Sequence, residues 1–531
     1  MKILAGPRLG KKEKRGNLNM NYSTPFVHAF EIDNHKYLYD VNTNRVLQVN
    51  DIIYDIINYY GRFSASEIAK KLHHKYDLDS IEREISEIDA AKREGLFSSF
   101  RPERIQYSKG REEIEDLLET EMSSITLNVT EDCNMRCKYC VYGGNYEMMR
   151  THSKKYMNFD IAKKAIDYYL LHSTDNREEL GINVGFYGGE PLLNFELIKD
   201  CVEYVNSRKI GSENVTYNMT TNGTILNDKI IDFLIANNFH LLVSLDGPKP
   251  RHDKYRVFPN GTGSFDIIMK NLQKIQRKNP DYYRFNVSFS LVIAPPVDYI
   301  EVDNFFSDSE VIGEHYSITS TPVTPGAEFL KQFDHEELTD AEGNEKLWRK
   351  YVDGLLQHTS RDPLYLWEYA IARTMFESYL LPIYDCPPYD RLAKEHYAGG
   401  ICIPGHRKLF VSAEGLFYIC ERVRATGNEN DLYCIGNVET GIDHNKVFRL
   451  IDEFCSTTEL DCCRCWAARL CPVCFAPIVP GDDQKTTANE KRQTCQSARE
   501  SVHDALIKFY SVIESDPKAF DFMDNIDRMR Y

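Results

Sequence analysis

The sequence predicts an α/β protein whose parallel sheet or barrel carries the site, with a small winged-helix-like α+β module before it and a cysteine-dense module after it. Three observations predict this class. Between about residues 123 and 294, apolar strands alternate with helical patterns in units of roughly 30–45 residues, the rhythm of repeated βα units. Ahead of them, residues 27–49 hold three short runs of alternating aromatic, β-branched and polar residues. Behind them, eleven of the 15 cysteines fall between Cys386 and Cys495.

Composition narrows the function classes. The 531 residues are 42% hydrophobic and 27% charged, ordinary globular values. A formal charge of −16 argues against nucleic acid and anionic membranes as partners. No apolar run approaches the ~20 residues of a membrane span, and the basic N-terminus lacks a long apolar stretch of the secretory kind. A cytoplasmic location is expected. In that reducing compartment, clustered cysteines read as metal or cluster ligands rather than disulfides.

Taken in order, residues 1–22 read as a disordered basic tail, or as sequence upstream of a start at Met20. Residues 23–105 form the first module. VHAFEID, KYLYDV and RVLQV make an antiparallel meander broken by the Asn-bearing turns DNH and NTN, and helical patterns follow at 51–60, 64–76 and 80–95. A charged stretch containing REEIEDLLETE links this module to the next. From 120 to 300, strand SITLNV precedes a helix at 159–172, INVGFYG one at 194–208, VTYNMTT one at 227–237 and HLLVSLDG one at 264–277; FNVSFSLVIA (285–294) closes the series. Residues 301–385 read as a bridging, mostly helical segment without assignable chemistry. Residues 386–500 are the cysteine module, and 501–531 a helical tail.

The informative residues all follow strand C-termini, where such folds place ligands. In "CNMRCKYC", Cys133, Cys137 and Cys140 have the spacing C-x3-C-x2-C. Three thiolates can hold three irons of a cubane [4Fe–4S] cluster and leave the fourth open. A zinc site is the alternative, but structural zinc takes four ligands and no fourth lies nearby in sequence. After the second strand come Gly188, Gly189 and Glu190: the glycines permit close backbone approach, and the carboxylate can hold an ammonium. After the third comes a polar turn containing Asn222, suited to sugar hydroxyls. After the fourth come Ser244 and, further on, Arg256, a fork for a carboxylate. Each alone is an ordinary turn; together they suit an amino-acid-bearing nucleoside.

This segment resembles the radical S-adenosylmethionine (SAM) superfamily, whose cysteine motif carries an aromatic before its last cysteine, here Tyr139. The resemblance implies a partial (β/α)6 barrel. It also implies that Cys133, Cys137 and Cys140 hold a SAM-binding cluster, that Glu190 in the GGE motif binds the methionyl ammonium, and that Asn222, Ser244 and Arg256 contact SAM. Further on, Cys402-x12-Gly415-x4-Cys420, then Cys462-x2-Cys465-x5-Cys471-x2-Cys474 and Cys495, resembles the SPASM extension, which carries two auxiliary [4Fe–4S] clusters. Two zinc-ribbon pairs are the alternative, and the last spacing within the run is two residues where the family has three. By the resemblance, Cys402, Cys420 and Cys474 serve the first auxiliary cluster, and Cys462, Cys465, Cys471 and Cys495 the second. The fourth ligand of the first is open between Cys386, Cys434 and a vacant iron. Cys201 and Cys463 read as bystanders.

The N-terminal module resembles the recognition element of ribosomal peptide biosynthesis, which captures a precursor's leader as an added strand. The expected function is therefore a peptide maturase of the ranthipeptide or sactipeptide type. It would use three [4Fe–4S] clusters and SAM to install thioether crosslinks in a Cys-containing ribosomal precursor, with reduced ferredoxin or flavodoxin as electron donor. Carbon–carbon crosslinking, formylglycine formation on a sulfatase and a non-enzymatic zinc scaffold are the alternatives.

Overall fold

A computed structural model describes residues 2–3, 23–146, 149–174, 181–208, 215–312, 318–323, 328–357, 370–397, 402–423, 425–476 and 488–525. The N-terminal meander forms as expected: β2 (Val27–Ile32), β3 (His35–Asp40) and β4 (Arg45–Val49) are antiparallel neighbours. Helices Asp51–Ile56, Ala65–Leu72 and Leu78–Arg93 follow, each started by an oxygen-bearing cap, Asn50, Ser64 and Asp77. The second of these has a complete capping box between Ser64 and Glu67. Apolar residues at helical spacing, including Ile53, Ile68, Ile81 and Ile88, bury against Leu38 and Leu47 in a core of their own. One strand was not expected: β1 (Lys2–Ile3), within the stretch read as a tail, pairs antiparallel with Leu47 and Gln48 of β4. Residues 4–22 lie outside the described residues.

The charged stretch read as a linker is a helix, Arg111–Thr120, because Ile114 and Leu118 stand four apart and both bury. Six parallel strands then build the expected half-barrel: β5 (Ile125–Thr130), β6 (Ile182–Gly188), β7 (Val215–Thr221), β8 (His240–Ser244), β9 (Val287–Ile293) and β10 (Ile318–Pro322). The sixth falls in the segment read as bridging. FNVSFSLVIA also divides, since Phe285 and Asn286 end the helix Pro280–Asn286 before β9 begins.

The two faces of this sheet differ. Leu127, Val184, Phe186, Met219, Leu241 and Phe289 are buried on the outer face, against the crossover helices. The alternate positions on β6 to β9, among them Asn183, Tyr187, Asn218, Ser244 and Ser290, are half-buried and mostly polar. A parallel sheet covered on both faces is apolar on both; the alternation marks an open inner face.

The cysteine module is not separate from the barrel. Its strand β11 (Leu409–Val411) pairs in parallel with β5, and β12 (Leu416–Tyr418), β13 (Cys434–Asn437) and β14 (Gly441–Ile442) extend the same sheet to ten strands. The expected boundary at residue 500 falls inside one helix, Ala488–Ser515, which carries Cys495 and packs against β2. Around it the N-terminal module docks on the cysteine module. His28 stacks on Trp466 with ring centroids 3.5 Å apart and 4° between planes, and Arg469 donates to the carbonyls of Val41 and Asn42 at 2.8 and 3.0 Å.

Candidate active site

The cysteine loop follows β5 directly, and the GGE loop follows β6, its neighbour. The two loops touch: Gly189 N donates to Thr130 O at 2.9 Å and Glu190 N to Asp132 O at 2.8 Å. A Cβ on Gly188 would stand 2.4 Å from Thr130 O, and one on Gly189 2.1 Å from Asp132 O. Here the glycines serve close approach between two loops.

That approach buries Glu190 completely. Its carboxylate accepts from Asn222 N at 2.7 Å, Thr221 Oγ1 at 2.8 Å and Leu192 N at 3.2 Å, so the third loop is tied to the second. Burial pushes its acid up to about 7 despite these donors. A buried carboxylate of this kind suits a cationic ligand, whose charge offsets the desolvation. Asn222 in turn donates to Asn134 Oδ1 at 2.8 Å, with its Nδ2 4.0 Å from Cys133 Sγ. Glu190 and Asn222 thus meet beside the first cysteine, as the sequence predicts.

Tyr139, Asp246 and Arg256 form a buried group. Tyr139 donates its hydroxyl proton to Asp246 Oδ2, and Arg256 Nη1 lies 2.7 Å from the Tyr139 oxygen and 3.6 Å from Asp246 Oδ1. Asp246 sits two residues beyond Ser244, and Ser244 is half-buried beside its strand partner Ser290. The Arg256 guanidinium is thus held by the protein through Nη1, and its Nε alone is buried without a partner. It also lies within electrostatic reach of Cys137 and holds that thiol's pKa down against burial, which leaves it at about 11.

The donor sets fit iron–sulfur ligation. Cys133, Cys137 and Cys140 lie within electrostatic reach of one another. So do Cys402, Cys420 and Cys474, and so do Cys462, Cys465, Cys471 and Cys495. Among the described residues, no three His, Cys, Asp or Glu side chains converge on a single metal ion. Iron–sulfur ligands each serve a different iron, so such a set need not converge on one ion. Cys386 is not brought to these groups. It follows the helix Ala370–Asp385 and packs against the N-terminal module, where its carbonyl accepts from Asn44 Nδ2 at 2.7 Å and its thiol faces Arg469, Tyr39 and Tyr510. Cys434 is buried in β13, its thiol donating to Gly436 O at 3.5 Å. Cys386 is held against the N-terminal module, while Cys434 lies opposite Tyr418, two residues before Cys420. Cys201 is buried on the helix Phe195–Ser207, and Cys463, next in sequence to Cys462, is buried as well.

Sequence reasoning missed several residues here. Asn134 braces Asn222 and Thr224, His152 Nε2 lies 3.8 Å from Cys140 Sγ, and Arg150 stacks over Tyr142. The polar alternation on the inner face was legible in the strands and marks the chamber they border.

A half-barrel with a three-cysteine loop after its first strand, a buried carboxylate after its second and a polar inner face is the arrangement expected of a radical SAM domain. Comparison agrees: residues 127–308 match the Radical SAM superfamily. Over 162 residues, 30% of this chain, it is 32% identical to a cysteine-type anaerobic sulfatase-maturating enzyme from Clostridium novyi (strain NT), covering 42% of that protein. It is 24% identical over 318 residues to the radical SAM cyclopropyl synthase TigE from Paramaledivibacter caminithermalis, covering 55% of this chain and 61% of that protein. The matches thus span less than two thirds of these relatives. The fold also resembles the solved structure of a tagged form of anSMEcpe with bound AdoMet, with a TM-score of 0.52 at 16% identity over 76% of this chain and 98% of that one. No helix among the described residues is long and apolar enough to cross a membrane.

Proposed function

We propose that the chain is a radical SAM peptide maturase that joins a cysteine sulfur to a carbon of a ribosomally made precursor. The observation that carries this reading is the gathering of ten cysteines into a triplet at the barrel mouth and two groups in the module that extends its sheet. In it, Cys133, Cys137 and Cys140 hold the SAM-binding cluster, Glu190 receives the methionyl ammonium, and Asn222, Ser244 and Arg256 border the nucleoside and carboxylate. Cys402, Cys420 and Cys474 hold one auxiliary cluster, and Cys462, Cys465, Cys471 and Cys495 the other. When bound, the reduced SAM site supplies a 5′-deoxyadenosyl radical that removes one hydrogen atom from the substrate. Thioether formation replaces one C–H and one S–H by a C–S bond. One hydrogen would leave as that atom and the thiol proton to solvent, and an auxiliary cluster held by the C-terminal cysteines would supply the acceptor for the remaining electron.

The chain's own residues orient and exclude. The Tyr139–Asp246–Arg256 group fixes the cysteine loop against the fourth βα loop, and the buried Glu190 ties the second loop to the third. The N-terminal module supplies the leader site at the β4 edge, where the pairing of Lys2–Ile3 supports its capacity to accept an added strand. The module also contacts the cysteine module, through His28 of β2 against Trp466 and the carbonyls of Val41 and Asn42 against Arg469.

Mass spectrometry of the reduced holoenzyme with candidate Cys-containing peptides tests this reading. Two hydrogens lost per crosslink, with the thiol no longer alkylatable, is the expected result. Similarity to a cysteine-type sulfatase-maturating enzyme favours a second reading, oxidation of cysteine to formylglycine, in which the product has lost its sulfur.

A further inference from the structure

Two side chains at the inner face of the half-barrel, the buried Asn128 and the half-buried Arg150, carry buried polar atoms that make no protein hydrogen bond of ordinary geometry. Strand register places the first. Asn128 of β5 pairs with Tyr187 of β6, and Thr126, two residues earlier, pairs with Gly185 on one side and Phe410 of β11 on the other. By the two-residue period, Asn128, Tyr187 and Phe410 project from one face, the polar one. Asn128 is fully buried, yet neither its Oδ1 nor its Nδ2 has a hydrogen-bond partner. Buried polar groups are otherwise almost always paired.

The second is Arg150. Its guanidinium lies 3.7 Å from the ring centroid of Tyr142 and 5.9 Å from that of Phe410. Nη1 and Nη2 are both buried and make no protein hydrogen bond of ordinary geometry. Tyr187 links the two. It is the strand neighbour of Asn128, its ring meets Phe410 edge-on at 6.3 Å, and its hydroxyl faces Tyr142, Arg150, Glu421 and Cys140. Tyr142 donates to the carbonyl of Glu421, the residue after Cys420. The pair therefore lies between the cysteine loop of the barrel and the cysteines of the C-terminal module.

We propose that Asn128 and Arg150 form a subsite for the backbone of an extended substrate peptide, a proposal that rests on the peptide-modifying reading above. The Asn128 carboxamide accepts from one peptide N–H and donates to one C=O, and the Arg150 fork takes a neighbouring carbonyl oxygen. The donor sets favour this ligand. A cluster sulfide or a SAM carboxylate only accepts and leaves Asn128 Oδ1 unpaired, whereas a peptide unit satisfies both ends. Reading backbone at this point presents successive residues to the radical irrespective of side chain, while specificity resides in the leader.

The test uses the holoenzyme loaded with SAM and a capped probe, N-acetyl-Ala-Cys-Ala-amide, with a depsipeptide analogue in which one amide N–H is an ester oxygen. Calorimetry is expected to show the depsipeptide binding at least tenfold more weakly than the peptide, a comparison needing no variant. Asn128→Leu and Arg150→Met, checked for unchanged iron content and melting, each weaken the peptide at least tenfold and leave SAM affinity within twofold. Asn128→Leu also removes the difference between peptide and depsipeptide. Equal binding of peptide and depsipeptide, no binding of either, or a loss of SAM affinity in place of peptide affinity overturns the subsite. If the unsubstituted enzyme crosslinks a precursor while the variants bind the probe unchanged, the subsite fails and the maturase reading stands. If it modifies no peptide, the reading fails, and probe binding still judges the subsite.

Discussion

The two ends of the cysteine set are built in opposite ways. At the barrel mouth, three thiols come from eight consecutive residues, held by one loop between two parallel strands. In the C-terminal module, Cys402 and Cys420 are joined by Cys474 from beyond the helix His444–Cys462, and Cys495 reaches its group from a helix that also packs on the N-terminal module. The local site draws its thiols from one loop, held in place by the neighbouring GGE loop and the fourth βα loop. A site gathered from distant segments depends on the whole fold, so its assembly couples to packing that sequence spacing does not display.

The largest effect expected of any change is at the local site. Replacing Cys133, Cys137 and Cys140 together with Ala is predicted to abolish reductive SAM cleavage. It should lower iron from about twelve to about eight per chain, if three cubanes fill the protein. Persistent 5′-deoxyadenosine would remove the assignment. A sharper contrast comes from the gathered sites: Cys495→Ala should cost about four irons, one cubane, while Cys386→Ala, at a thiol packed against the N-terminal module, leaves iron content unchanged. Iron lost equally from both would restore Cys386 as a ligand.

Packing supplies the next effect. Phe186 is 1% exposed on the apolar face shared by barrel and helices, so Phe186→Ala should destabilise the protein by about 3–5 kcal/mol in denaturant titration. At the docking surface, Trp466→Ala removes the stack on His28. It is predicted to cost only about 0.5–1.5 kcal/mol beyond lost area, yet to raise amide exchange in β2, because that strand leans on the helix bearing Cys495. Unaltered exchange in β2 would separate the module from the second auxiliary group.

The smallest effect is electrostatic. Glu190 is an acid raised by burial to about 7, so below that pH its neutral form prevails and its attraction for an ammonium is lost. SAM affinity measured by calorimetry should therefore fall from pH 8 to pH 6, and Glu190→Gln should flatten that dependence. The same raised acid favours the folded chain at low pH: stability from this group declines as pH rises from the unfolded value of about 4.3 through the folded value of about 7. Bound SAM, by supplying the counter-charge, should reduce that decline.

Much of this was legible in order along the chain. The cysteine triplet, the GGE loop and the Asn222 turn were readable because each is a short motif at a strand end, and strand ends converge in any βα repeat. The sixth strand escaped because ITSTP is short and polar, following the inner-face pattern more than the apolar one. The linker helix escaped because seven of its ten residues are polar or charged, and of the other three only Ile114 and Leu118 bury fully. Cys386 misled because proximity in sequence to the other cysteines is no measure of distance once the helix before it turns its end toward the N-terminal module.

The sequence by itself determined the chemistry on offer: which thiols, which carboxylate, which glycines and in what βα frame, since these follow from residue type and local period. The grouping of the distant thiols already followed from the resemblance; the tertiary structure alone decided that Cys386 packs against the N-terminal module. It continued the barrel sheet into the cysteine module and left the buried Asn128 carboxamide without a hydrogen-bond partner. Those outcomes depend on strand register and on helices packing across hundreds of residues, where a one-residue shift would turn every inward side chain outward.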